Sequence, residues 1–554
     1  MIVLRRLRIT RQARSAVSLA LFLGLACALL VSCQTGLAAE EKVEDFRYLF
    51  EIMRDNHPYL ELKARAEGYD WLAHEEEFEE AVRSSRNDKE FAQAIQRMLQ
   101  MINSGHTTMM SPQLYEGICN LSPEMKPWLD EAAKTDAKTV ARWYGYVSNP
   151  LQYPQGQSLP FGAWYCRGDY VVYWVSEQFG SDAGVSAGDV LVTVNGKPVH
   201  EFVEDMRGLI RLRLDPPRSR LYLEDLRLPY SSRPYKLEFR QTGGKLVQAS
   251  AGFEKVVASR RSPYLPTNLG QTGNVYTTML SEGRVAYLHI NQMTQYQQSE
   301  AYARVLKEFF AGIQDVPALI IDIRGNGGGD DRFWMLNVVR PLATRPLTSH
   351  GGSARRTGEF ILPFVQANSE FGSTIEGLSG TGVMIDKPDI AKTLSSEQLA
   401  NLPPEVLGPG FGPLGVGEMT ISPSGEYPYK GKVFLLVDFT VFSSAQGFAE
   451  FCKGSGWATL VGEHTGGGND GSTPSMVTLP NSGIPVFFAA GMGLNPDFTA
   501  VEEVHTAPDV LVERSSDDLV RLAAATAAGQ VFSAPEREFD AALRECLRLA
   551  LEIP

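Results

Sequence analysis

Across 554 residues the chain has only six cysteines, and their spacing matches no metal-ligand pattern. No pair of histidines has metal-binding spacing either, so the sequence predicts no metal and no cofactor. The strand–glycine segment IDIRGNGGGDD lacks the Gly-Lys-Ser/Thr of a nucleotide loop and does not form GxGxxG. A GxSxG elbow is absent throughout, which argues against the fold built around that turn. After residue 31 no run approaches the ~20 apolar residues that a spanning helix needs. Finally, no lysine follows Lys453.

Charge is also one-sided. The chain carries a net −13, and an acidic surface of that size disfavours nucleic acid as a partner. Its first 32 residues hold Arg5, Arg6, Arg8, Arg11 and Arg14 and no acid, so removing them takes the charge to −18. Those arginines precede the apolar run Ala16 to Val31 and then Leu-Val-Ser-Cys, an export signal ending like a bacterial lipobox. The expectation is a signal over residues 1–33, lipidation of Cys33, and an exported lipoprotein at the periplasmic or cell-surface face of a membrane. Of the cysteines left, Cys119, Cys166, Cys452 and Cys546, the compartment permits one disulfide, while Cys452 reads as a buried thiol in a helix.

Periodicity divides the rest. Apolar residues recur at helical spacing through Phe46, Leu49, Phe50 and Met53, and again through Phe91, Ile95, Met98 and Leu99, which predicts a helical domain over 40–110. Residues 111–165 read as an irregular connection. DYVVYWV and then AGVSAGDVLVTVNGKPV predict strands with an Asn-Gly turn, and Glu201 to Ile210 a helix, within a unit at 166–255. From 270 to 530, strands alternate with helices as in an α/β sheet covered on both faces. A long Gly/Pro-rich insertion interrupts that order at 345–430, and a terminal helix is expected in 531–554.

Two glycine or serine turns follow buried strands in this region. Gly325, Gly327, Gly328 and Gly329 end ALIIDIRGNGGG, where unobstructed backbone N–H groups can face a developing oxyanion. Ser443 and Ser444 end the second strand in VFSSAQGF, at the start of a helix, where a serine can cap or attack.

Taken in order, DIRGNGGG, TVFSSAQG and LVGEHTGG resemble the C-terminal processing peptidases and the tricorn core peptidases. AGVSAGDVLVTVNG resembles the PDZ domain that precedes their catalytic sheet. The resemblance implies an α/β fold with a mixed-sheet, ClpP/crotonase-like catalytic core, an N-terminal helical domain and an inserted PDZ-like β domain. It implies a serine endopeptidase acting on unfolded or tail-bearing polypeptides, which the PDZ-like groove would hold. On that pattern Ser444 is the nucleophile, Ser443 the cap, and the N–H groups of Gly328 and Ala445 the oxyanion donors. The branch with a catalytic lysine needs one where this chain has Gly468, and Lys453 lies roughly 13 Å along the helix from Ser444, so a Ser/Lys dyad of that kind is excluded. The tricorn type implies His106, in SGHTTM, as the base and Glu502, in VEEVHTAPDV, as its acid, with Glu503 as fallback; His464, on the glycine-rich loop GEHTGGG, is the competing base. Gly105 and Gly447 depart from the family strings. The alternative is a non-catalytic peptide- or lipid-binding lipoprotein on the same scaffold. No reading of the oligomeric state emerges.

Overall fold

A computed structural model describes residues 36–147, 151, 153–255, 273–295, 300–372, 377–530 and most of 532–552. The export signal and Cys33 lie outside the described residues.

The helical region comprises Ala39–Asn56, Leu60–Glu67, Glu75–Arg83 and Asp88–Met101. Phe46, Leu49, Phe50, Phe91, Ile95 and Leu99 close a single core with Trp71, as their spacing predicts. Residues 111–165 depart from expectation. They form helices Pro112–Cys119, Lys126–Ala132 and Ala137–Val147, two of which carry proline in the first turn, where its missing N–H costs nothing. These helices bury Tyr115, Ile118, Trp128, Val140 and Trp143, so prolines that read as loop are in fact helix starts.

Next comes an antiparallel sheet with strands in the order Leu246–Ala251, Tyr235–Arg240, Val190–Val194, Asp169–Val175 and Phe161–Cys166. Asn195 and Gly196 both take positive φ, 53° and 80°, as a tight Asn-Gly turn requires. The helix expected over Glu201 to Ile210 spans only Val199–Glu204.

The principal sheet runs Val275–Leu280, Val285–Ile290, Ala318–Asp322, Lys432–Val437, Thr459–Gly462 and Val510–Leu511. Its first pair is antiparallel and the others parallel. Leu319, Ile321, Val433 and Leu435 face the helices Glu300–Gly312 and Ser444–Ser455, while Ile320, Phe434 and Leu436 face Ala541–Leu551. Helices on both faces explain why these strands are apolar without alternation.

The described residues of the 345–430 insertion form strands and helices of their own. Its strands Leu347–Ala354, Leu378–Ile385 and Leu414–Ile421 form a four-stranded sheet with Met492–Leu494. Against the Ser444 helix that sheet bounds a cleft of 1180 Å³. Among the described residues no helix is long and apolar enough to cross a membrane. Cys119, Cys166, Cys452 and Cys546 are free thiols, with Cys452 buried as its helical setting predicts.

Candidate active site

Three loops at the carboxyl ends of the parallel strands meet around Ser444. The glycine loop is tied to the serine loop by Gly325 N, which donates to Thr440 Oγ1 at 2.7 Å, and by Phe442 N, which donates to Asn326 O at 3.2 Å. Ser443 N donates to Gly467 O at 3.1 Å, which adds the 463–470 loop. Such lacing fixes the backbone before any substrate arrives.

Ser443 stands at φ 57°, ψ −125°, an uncommon region for a residue with a side chain and one that stores roughly 1–3 kcal/mol of strain. It occupies the N-cap position, but its side chain makes no capping hydrogen bond, which corrects the capping role expected of it. What Ser443 supplies is a sharp turn that delivers Ser444 to the first position of the helix. Ser444 is buried, lines the cleft, and its Oγ has no well-formed hydrogen bond.

His106 reaches this point through strand addition. Thr108 and Met109 pair with Phe487 and Val486 of the hairpin formed by Ser475–Thr478 and Pro485–Phe488, which pins the end of the helical region to the core. The imidazole lines the same cleft as Ser444, and its ring lies 4.8 Å from that of Phe442, two residues before the serine. Gly105 is required here: a Cβ on it would stand 2.3 Å from the Phe442 ring and 2.6 Å from the Arg211 guanidinium. Arg211 lies over the same ring, 4.6 Å from its centre, its charge disfavoured by burial. The space a larger residue would need before His106 is therefore already filled.

The acid that holds His106 is Asp470. His106 Nδ1 is 2.6 Å from Asp470 Oδ2, and the Tyr59 hydroxyl donates to Asp470 Oδ1 at 2.7 Å. Both carboxylate oxygens are thus engaged in a side chain only 1% exposed. Burial, with the adjoining Asp470 charge, pushes the Tyr59 phenol well above its usual range and keeps it a donor. With Nδ1 so held, Nε2 is the imidazole nitrogen available to a hydroxyl. Sequence reasoning missed Asp470 and Tyr59; the signal for the former was an acid closing the glycine-rich loop GGGNDG.

Glu502 sits elsewhere. It accepts an ion pair from Lys63 at 3.1 Å, and Lys63 is shared with Glu67, which also binds Arg207. This buried chain joins the helical region to the back of the 463–470 loop, where a Cβ on Gly467 would lie 3.7 Å from Glu502 Oε2. Glu503 pairs with Arg65. His464 lines a separate 90 Å³ crevice, not the cleft, with its Nδ1 3.3 Å from Val504 O. Lys453 is turned to Ala507 O and Asp509.

Gly328 and Ala445 both flank Ser444, but their N–H groups are occupied. Gly328 N donates to Asn326 Oδ1 at 2.9 Å and Ala445 N to Phe442 O at 3.2 Å. Gly328 approaches so closely, at φ 102°, that a Cβ would lie 2.7 Å from Phe442 O. Asp331 also lines the cleft; although its side chain reaches solvent, the protein packed around it raises its carboxyl, opposed by the Ser444 hydroxyl and the Trp334 indole. Burial likewise pushes Glu450 up to about 7, opposed by Gln446 and Asn469. Among the described residues no group of three or more His, Cys, Asp or Glu side chains could hold a metal ion.

Comparison with known proteins bears on this arrangement. The model of peptidase family S41 matches residues 284–512, the stretch holding the glycine loop, Ser444 and Asp470. No curated protein matches the chain. Among solved structures, mature CPAF complexed with lactacystin is similar at 13% identity over 89% of this chain and 97% of that one, with a TM-score of 0.49. The photosystem II D1 C-terminal processing protease is similar at 15% identity over 86% and 94%, TM-score 0.33. The tricorn protease is similar at 15% identity over 84% of this chain and 36% of that one, TM-score 0.26. Residues 284–512 of this chain thus match the model of peptidase family S41, a family of serine peptidases.

Proposed function

We propose that the chain is an exported endopeptidase in which Ser444 is the nucleophile, His106 the general base and Asp470 the acid that orients it. The observation that supports this most is a buried Ser444 Oγ, in no well-formed hydrogen bond, on the same cleft as an imidazole whose Nδ1 is bound to a buried carboxylate. Ser444 Oγ attacks the peptide carbonyl as His106 Nε2 takes its proton, and Asp470 stabilises the imidazolium that forms. His106 then gives that proton to the leaving amine, and water repeats the sequence on the acyl-enzyme. An oxyanion held by Gly328 and Ala445 displaces Asn326 Oδ1 and Phe442 O from those N–H groups, so substrate completes the hole. Glu502 acts at a distance, bracing the loop that carries Asp470.

The substrate class in this reading is an unfolded or tail-bearing polypeptide, with the Phe161–Ala251 sheet as its PDZ-like holding groove. Cys33 carries the lipid anchor. Labelling by a serine-directed phosphonate tests the nucleophile: wild type should be labelled and Ser444→Ala should not, and labelling of the variant would overturn the assignment. Partition of wild type into detergent, lost in Cys33→Ser, tests the anchor, and equal partition of both would refute it.

A further inference from the structure

Beside Ser444 the cleft holds a carboxylate that the mechanism does not use. Asp331 is open to solvent in the cleft wall, while protein surrounds it closely enough to raise its carboxyl. Its Oδ1 is fixed by the Trp334 indole at 3.2 Å, and Trp334 is in turn stacked on Phe448 at 5.2 Å. Among the described residues no cation pairs with Asp331. The next turn of wall is empty: a Cβ added to Gly447 would meet nothing within 4 Å except Asp331 Oδ1, at 3.8 Å. A recess therefore opens directly off the nucleophile, with an oriented acid at one end and the apolar surfaces of Trp334, Met335 and Phe451 beside it. The cleft as a whole has the same sign: Asp331, Glu370, Glu418, Glu450 and Asp470 line it against Arg355 and two histidines. A second sign that a ligand belongs here is Ser444 itself, 6% exposed on the cleft wall, whose Oγ approaches Asp331 but makes no well-formed hydrogen bond.

We propose that this recess takes the lysine or arginine side chain of the substrate residue that flanks the scissile bond, with Asp331 receiving the cationic head. The inference rests on the reading of Ser444 as nucleophile. A long cationic side chain suits the shape because its methylene stem covers apolar wall while its head reaches a polar end. A head delivered to an oriented, partly desolvated carboxylate gains more than it would on an open surface, where such pairs count for little. Glutamate in the same place would meet Asp331 and Glu450, and a small apolar residue would leave the acid unpaired.

The test is a cleavage map. Wild-type protein digests a reduced, unfolded polypeptide, and mass spectrometry reads the residues on both sides of each cut. Lysine or arginine should occupy one fixed side of most cuts; a map without basic enrichment would overturn the inference. In matched peptides, Asp331→Asn should lower the Lys-over-Leu ratio of kcat/KM by roughly 30-fold or more, chiefly through KM, and an unchanged ratio would also overturn it. Gly447→Leu fills the recess from a different residue and should collapse the same ratio, so a poorly folded Asp331 variant does not decide the matter. Ser444→Ala separates the two levels. Residual digestion by that variant sinks the nucleophile assignment, whereas an inert variant together with a wild-type map lacking basic residues sinks only the present inference.

Discussion

Replacing Asp470 by Asn preserves the shape of the site and inverts one proton. The wild-type carboxylate accepts from Tyr59 at 2.7 Å and stands 2.6 Å from His106 Nδ1; a carboxylate can only accept there, so the neutral ring carries its proton on Nδ1 and Nε2 is left as the base. An amide that still accepts from Tyr59 through Oδ1 must turn its NH2 to His106. Nδ1 then becomes the acceptor and the ring proton moves to Nε2, the atom that has to take the Ser444 proton. The imidazolium of the transition state also loses a facing charge in a site 1% exposed on the acid and 13% on the histidine. At an effective dielectric of ~20 that charge contributes about 4 kcal/mol, and a wrong tautomer in a Ser-His-Asp arrangement is associated with a loss of ~10⁴ in kcat. The two arguments converge on about 4–5 kcal/mol, or roughly 10³–10⁴ in rate at 1.36 kcal/mol per tenfold. The assay is the rate of phosphonate labelling and of peptide hydrolysis across pH 5–9. Tyr59→Phe, which removes one hydrogen bond and keeps the charge, should cost only about tenfold. An Asp470→Asn protein that melts normally and reacts within tenfold of wild type would refute the role given to this acid.

Other substitutions probe the surrounding structure. Ser443→Ala should cost less than about 0.5 kcal/mol in chemical denaturation, because it has no cap bond to lose; a loss of ~1–2 kcal/mol, typical of a true cap, would contradict the geometry. Gly105→Ser should lower kcat at least tenfold by pushing Phe442 and Arg211 against His106, and unimpaired turnover would show that the pocket can yield. Burial lifts Glu450 and Glu463 each from 4.5 to about 7, Glu463 with added push from Asp438. An acid whose folded value is raised holds its proton better when folded, so stability falls as pH rises from about 4.5 to 7 and is level above that. Each should contribute about 3 kcal/mol to that slope. Glu450→Gln and Glu463→Gln should each flatten the Tm profile over this window, and a slope unchanged in both would rule the two groups out.

The order of buried strands, the helical region and the two turns at strand ends were legible because periodicity and glycine placement are local signals. The Asn195-Gly196 turn was legible for the same reason, since a positive φ at two successive residues selects those side chains. Residues 111–165 were misread because proline at a helix start and proline in a loop look alike until the burial of Trp128 and Trp143 is known. Glu502 was nominated by its distance from a Pro-Asp string, but a buried lysine from the helical region claims it. Asp470 acquires its role only when a loop 364 residues beyond His106 folds back on it. Ser443 looked like a cap because composition reports which residues suit a helix start and says nothing of the φ at which they are held. Asp331 stood next to a glycine loop as one acid of a pair; only the emptiness beside Gly447 distinguishes it from Asp330, which binds Arg332.

The two-residue pairing of Thr108 and Met109 with Val486 and Phe487 has a consequence for timing. In the proposed mechanism the base, His106, precedes the nucleophile, Ser444, by 338 residues, and that short seam brings the two regions together. Contacts so distant in sequence form late, after their loop entropy has been met by the rest of the fold. On that reading a partly made chain holds the base without its nucleophile and is inert. If the proposed Ser444–His106 pair is right, separately expressed halves divided between them should be inert and regain activity on mixing, and activity in either half alone would refute it.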